Sequence, residues 1–83
     1  MIKRPPAPPI DEMMYFIVIR TATHVGEEYA KSYLPAKEVI RQYVKELGDE
    51  VITAELFNRS SKTLKIYSGP DKIAKFLNLK RGD

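Results

Sequence analysis

Seven consecutive apolar residues, Met13 to Ile19, constrain this chain more than any other feature. The stretch "MMYFIVIRTAT" is rich in β-branched and aromatic side chains and holds neither Gly nor Pro, so it reads as a strand. Successive strand residues point to opposite faces, which sends Tyr15, Ile17 and Ile19 one way and Met14, Phe16 and Val18 the other. A strand apolar on both faces sits centrally in its sheet and is covered on both sides. A chain of 83 residues is one domain with little mass to spare for a second covering layer. The second face is then left to the proline-rich N-terminus or to another molecule, and a homodimer is one expectation that follows.

Further along, a pattern occurs twice. "YAKSYLPAKEVIRQYV" (29–44) and "LKIYSGPDKIAKFLNL" (64–79) each carry a Lys and a Tyr in an extended stretch, then a proline, then a segment with apolar residues at helical spacing. Pro35 suits the first position of a helix, where its missing N–H goes unused. Val39, Ile40, Tyr43, Val44 and Leu47 form an apolar stripe opposite Lys37, Glu38, Arg41, Gln42, Lys45 and Glu46, and Gly48 supplies the stop. This predicts a helix over 35–47. Two strands, "EVITAELF" and "KTLKIYS", flank a turn at "NRSS". Ile52, Ala54 and Leu56 are expected on the dry face with Leu64 and Ile66, while Thr63, Lys65 and Tyr67 point away. Pro70 opens a second helix behind Ser68 or Gly69, with Ile73, Ala74, Phe76 and Leu77 as its buried stripe.

The segment "HVGEEYAKSYL" admits two readings. As a strand behind a "THVGE" loop it alternates Tyr29, Lys31 and Tyr33 with Ala30, Ser32 and Leu34. As a helix it places Val25, Tyr29 and Tyr33 on one side. The first reading gives ββαββα, the second β-α-α-β-β-α with three strands. Both are α+β: a small two-layer domain, an antiparallel sheet with two helices packed on one face. The domain spans 13–79, behind a proline-rich tail at 1–12 and ahead of a frayed end at 80–83. Lys3, Pro6 and Pro9 meet a basic-x-x-P-x-x-P spacing, but four prolines satisfy so loose a pattern easily and a semi-rigid tail suffices.

Composition removes several classes of function. There is no cysteine, hence no disulfide and no thiolate metal site, which fits a reducing, cytoplasmic setting. Seven apolar residues fall well short of the ~20 a membrane helix needs, so no membrane partner is expected. The single His24 beside Glu27 and Glu28 lacks a convergent ligand set, and the four glycines are isolated rather than grouped in a phosphate loop. Neither an enzyme nor a cofactor is expected. "NRS" at 58–60 and "RGD" at 81–83 match short motifs that matter only outside the cell.

What remains is binding. Net charge is +3, and the C-terminal third concentrates Lys62, Lys65, Lys72, Lys75, Lys80 and Arg81. Aromatic rings that stack on bases, interleaved with lysines that meet phosphates, are what single-strand binders carry on open sheets. The expected nucleic-acid face has Tyr67, Phe57 and Tyr33 as stacking rings, with Lys65, Lys31, Lys62 and Lys72 along the backbone. The alternative is a protein-interaction module, an inhibitor or subunit, that docks a partner protein through the same sheet or through its two-sided first strand.

Overall fold

The structure, a computed structural model, describes residues 12–79; the expectations for the proline-rich tail and for residues 80–83 fall outside them. The element order is β1 (Tyr15–Arg20), β2 (Val25–Ala30), α1 (Tyr33–Leu47), a 3₁₀ turn at Gly48–Glu50, β3 (Thr53–Asn58), β4 (Thr63–Ser68) and α2 (Pro70–Leu77). The four strands form one sheet in the order β2-β1-β3-β4, every pair antiparallel. Both helices lie on one face. The chain is therefore a two-layer α+β domain of ββαββα order, and the helical reading of 25–34 gives way to β2 over 25–30, with Tyr33 and Leu34 helical as the start of α1.

The first apolar run becomes a central strand, as its two greasy faces require. It ends sooner than the sequence suggests. Thr21 closes the hairpin at 21–24: its Oγ1 accepts from the His24 N–H at 3.0 Å, and its own N–H donates to the His24 carbonyl at 2.9 Å. A threonine side chain satisfying a turn in this way competes with continued pairing. The expected loop at "THVGE" thus moves toward the N-terminus, and Val25, Gly26 and Glu27 join β2. Helix α1 begins at Tyr33 rather than Pro35, because the first turn of a helix leaves its N–H groups unbonded and a proline at the third position is equally harmless. Tyr33 consequently belongs to a helix and not to a strand.

Between the layers lie Ile17 and Ile19 of β1, Ala30 of β2, Ala36 and Ile40 of α1, Val51, Ala54 and Leu56 around β3, and Ile73 and Leu77 of α2, all buried. Arg41 ties the two helices together by donating from Nη2 to the Leu77 carbonyl at 3.2 Å, at the C-terminal end of α2 where a cation is favoured. On β2, Gly26 lies directly under the Tyr43 ring: a Cβ there would stand 2.7 Å from the phenol oxygen and 2.9 Å from a ring carbon. That oxygen donates to Glu28 Oε1 at 3.0 Å.

The twofold pattern read from the sequence exists as topology and stops there. Each hairpin has two six-residue strands around a four-residue loop, followed by a helix. Tyr29 and Tyr67 occupy the same place in their respective hairpins, yet they face opposite sides of the sheet. Ala54 and Leu56 are buried under the helices, and they pair with Tyr67 and Lys65. Directly paired residues share a face, so β4 turns Tyr67, Lys65 and Thr63 toward the helices and Leu64 and Ile66 toward the open side. This reverses the expected orientation of β4.

Candidate docking face of the sheet

The residues expected to form one nucleic-acid face are dispersed. Tyr67 stacks on Phe76 of α2 with ring centroids 4.1 Å apart and planes 21° from parallel. Phe76 meets Tyr33 edge-on at 6.3 Å, and Tyr33 meets Tyr15 in the same manner at 6.0 Å. Four rings thus join α1, α2 and the sheet, and two of the three expected base-stacking residues are occupied within the protein. Burial raises the phenol of Tyr67 above its ordinary value, with Tyr33 adding to the effect, as befits a ring drawn into packing. Lys37 Nζ lies over the Phe76 ring, 5.3 Å from its centroid, and Lys37 is not one of the expected lysines.

Lys65 stands on the helix side beside a crevice it shares with Tyr15, Tyr33 and Leu56. Lys62 sits in the 59–62 turn with φ at +56°, Lys31 in the link from β2 to α1, and Lys72 on α2. Of the seven expected residues, only Phe57 belongs to the open face. The sheet does not bring the set together.

Its place is taken by apolar side chains. The ladder aligns Tyr29, Phe16, Phe57 and Leu64 in one row across all four strands. The next row on that face is Glu27, Val18, Glu55 and Ile66; the third is Val25, Arg20, Thr53 and Ser68. The first row is an unbroken apolar band, in which Phe16 and Tyr29 lie 4.9 Å apart, with Met14 beyond it. Several members are widely exposed: Leu64 at 52%, Ile66 at 54%, Val25 at 52% and Tyr29 at 44%. The third row is mostly polar in the same sheet, so pairing alone does not call for the aromatic band.

Charge on this face is sparse and slightly acidic. Arg20 Nε donates to Glu55 Oε2 at 2.5 Å, which neutralises both. Glu27 stands on the edge strand β2. Two carboxylates and one paired guanidinium give phosphates little to meet. The sequence signal that could have found this face lies in the loop. A four-residue connection between Asn58 and Thr63 forces Leu64 opposite Phe57, whereas a connection longer or shorter by one would have turned Leu64 inward. Asn58 fixes that length, because its Oδ1 accepts from the N–H groups of Ser60 at 2.9 Å and Ser61 at 3.1 Å.

Elsewhere, a cleft of about 390 Å³ opens between the helices, walled by Val44, Val51, Ile73, Ala74 and Leu79 with Arg41 and Lys45 as its charged members. Among the described residues its lining holds no carboxylate. Among the described residues no three His, Cys, Asp or Glu side chains converge on a metal position, and no helix is long and apolar enough to cross a membrane. Compared with protein-family models, curated proteins and solved structures, the chain matches none.

Proposed function

We propose that the protein is a binding module that docks another protein through the open face of its sheet. The observation that carries this reading is the row Tyr29, Phe16, Phe57 and Leu64, continued by Val18 and Ile66. Contiguous apolar patches larger than a few hundred Å², especially ones rimmed by polar residues, mark interaction sites. Burying aromatic anchors inside a polar rim is how protein interfaces gain most of their energy. The rim here is supplied by Glu27, Arg20, Thr53 and Ser68.

The nucleic-acid reading keeps one supporting observation: Lys31 and Lys62 flank the end of the sheet at which the aromatic row lies. The two readings differ in salt dependence and in the residues that matter. Fluorescence titration with labelled single-stranded DNA and RNA at low salt is expected to show no binding that depends on the sheet face. A photo-crosslinker placed at Leu64 should capture protein in native extract, and Ile66→Glu should suppress that capture. Tight, steeply salt-dependent oligonucleotide binding, abolished by Lys31→Glu or Lys62→Glu and indifferent to Ile66→Glu, would replace the protein reading with the nucleic-acid one.

A further inference from the structure

We infer that the occupant of this face is a second copy of the chain, packed sheet against sheet about a two-fold axis parallel to the strands. The inference rests on the docking reading above and names its partner. Three properties of the face support it.

The first is extent. Four strands about 4.8 Å apart, each of six residues rising about 3.3 Å, span roughly 19 by 20 Å. Two such faces hide about 800 Å² of flat footprint, to which side-chain relief adds, the size of a weak, reversible contact.

The second is self-complementarity. Sheets pack face to face about 10 Å apart with their strands nearly aligned. A two-fold parallel to the strands lays the apolar row of one copy along the same row of the other, so that Tyr29 meets Leu64 of the second copy and Phe16 meets Phe57 of the second copy. The result is an isologous contact that closes at two subunits.

The third is charge, which selects between the two axes available in the plane. A two-fold perpendicular to the strands would set the middle row on itself, Glu27 against Glu27 and Glu55 against Glu55, and would lay the aromatic row over Arg20, Thr53 and Ser68. Like charges facing each other across a dry interface are disfavoured. The parallel axis separates them: Glu55 keeps its own Arg20, and Glu27 remains on an edge strand within reach of solvent at the rim.

Sedimentation velocity on the full chain over a concentration series, combined with nuclear Overhauser spectroscopy, tests the inference. Wild type is expected to pass from monomer to dimer as concentration rises. Leu64→Glu and Ile66→Glu should each weaken that association at least tenfold while leaving the circular dichroism of the monomer unchanged. Tyr29 and Leu64 lie on opposite edges of one sheet, about 14 Å apart across three strand spacings. A cross-peak between the Tyr29 ring and the Leu64 methyls therefore arises only between copies, and the parallel axis predicts it. A Tyr29–Val25 contact between copies in its place would identify the perpendicular axis and overturn the geometry. A chain that stays monomeric into the millimolar range overturns the second copy as occupant; the docking reading still stands if Ile66→Glu abolishes capture at Leu64. A dimer that ignores both glutamate variants and shows no cross-peak overturns the inference, and the docking reading falls with it only if Ile66→Glu also leaves capture at Leu64 unchanged.

Discussion

Replacing Tyr67 and Phe76 by alanine, singly and together, tests whether Tyr67 is a packing residue or a platform for a ligand. The two rings are stacked at 4.1 Å, and both are half-buried. An aromatic side chain covers about 150–250 Å² when fully buried, so half-burial hides roughly 100 Å² and contributes about 2.5 kcal/mol at ~25 cal/mol per Å². Tyr67→Ala should therefore destabilise by about 2 kcal/mol, which lowers the melting temperature by roughly 8–16 °C in a domain of this size. Phe76→Ala should cost at least as much, because Phe76 also meets Tyr33 and Lys37. The coupling between the two substitutions should be about 0.5–1.5 kcal/mol, the usual value for a ring pair beyond its buried area. Urea unfolding followed by circular dichroism on all four proteins yields each term. If Tyr67→Ala costs under ~0.5 kcal/mol and the substitutions add within ~0.3 kcal/mol, the rings do not pack on each other and the assignment of Tyr67 to the helix side is wrong.

Three further outcomes follow from the same structure. Gly26→Ala should destabilise by about 1 kcal/mol or more, because the new methyl drives the Tyr43 ring off Glu28; in a Tyr43→Ala background the same substitution should become neutral or stabilising by up to ~1 kcal/mol, since glycine in an open strand is the costlier residue, and chemical denaturation reads both signs. Burial, then the hydrogen bond to Glu28 and the charges of Glu28 and Glu46, raise the Tyr43 phenol above its ordinary 10.0. The folded state thus favours the neutral phenol, a contribution fully present below the unfolded value and lost as pH climbs through the folded one, so Tyr43→Phe should flatten the alkaline limb of the stability curve. Lys62 holds φ at +56° in the 59–62 turn, so Lys62→Gly should leave stability unchanged or raise it by up to ~1 kcal/mol, measured as a melting shift.

Element types were legible because they depend on near neighbours. The stripe at Ile40, Tyr43, Val44 and Leu47, the stop at Gly48 and the opening at Pro70 recur in the structure as read. Tyr33 was misplaced because a proline marks the first turn of a helix without saying which residue of that turn it occupies. The candidate site was harder. In β4 the alternation Leu64, Ile66 against Lys65, Tyr67 fits either orientation, and hydrophobicity favours burying the aliphatic pair. The protein instead buries half of Tyr67 against Phe76 and leaves the aliphatics exposed.

By itself the sequence determined that a two-faced strand stands at the centre of an antiparallel sheet and that two one-faced helices accompany it, because periodicity and punctuation act over a few residues. Which side of the sheet receives the helices at its far edge was decided only by tertiary structure. A period of two makes strand orientation hinge on a single residue of loop length; the Asn58 turn is local, but its effect on orientation exists only once β4 pairs with β3 and Leu64 falls opposite Phe57.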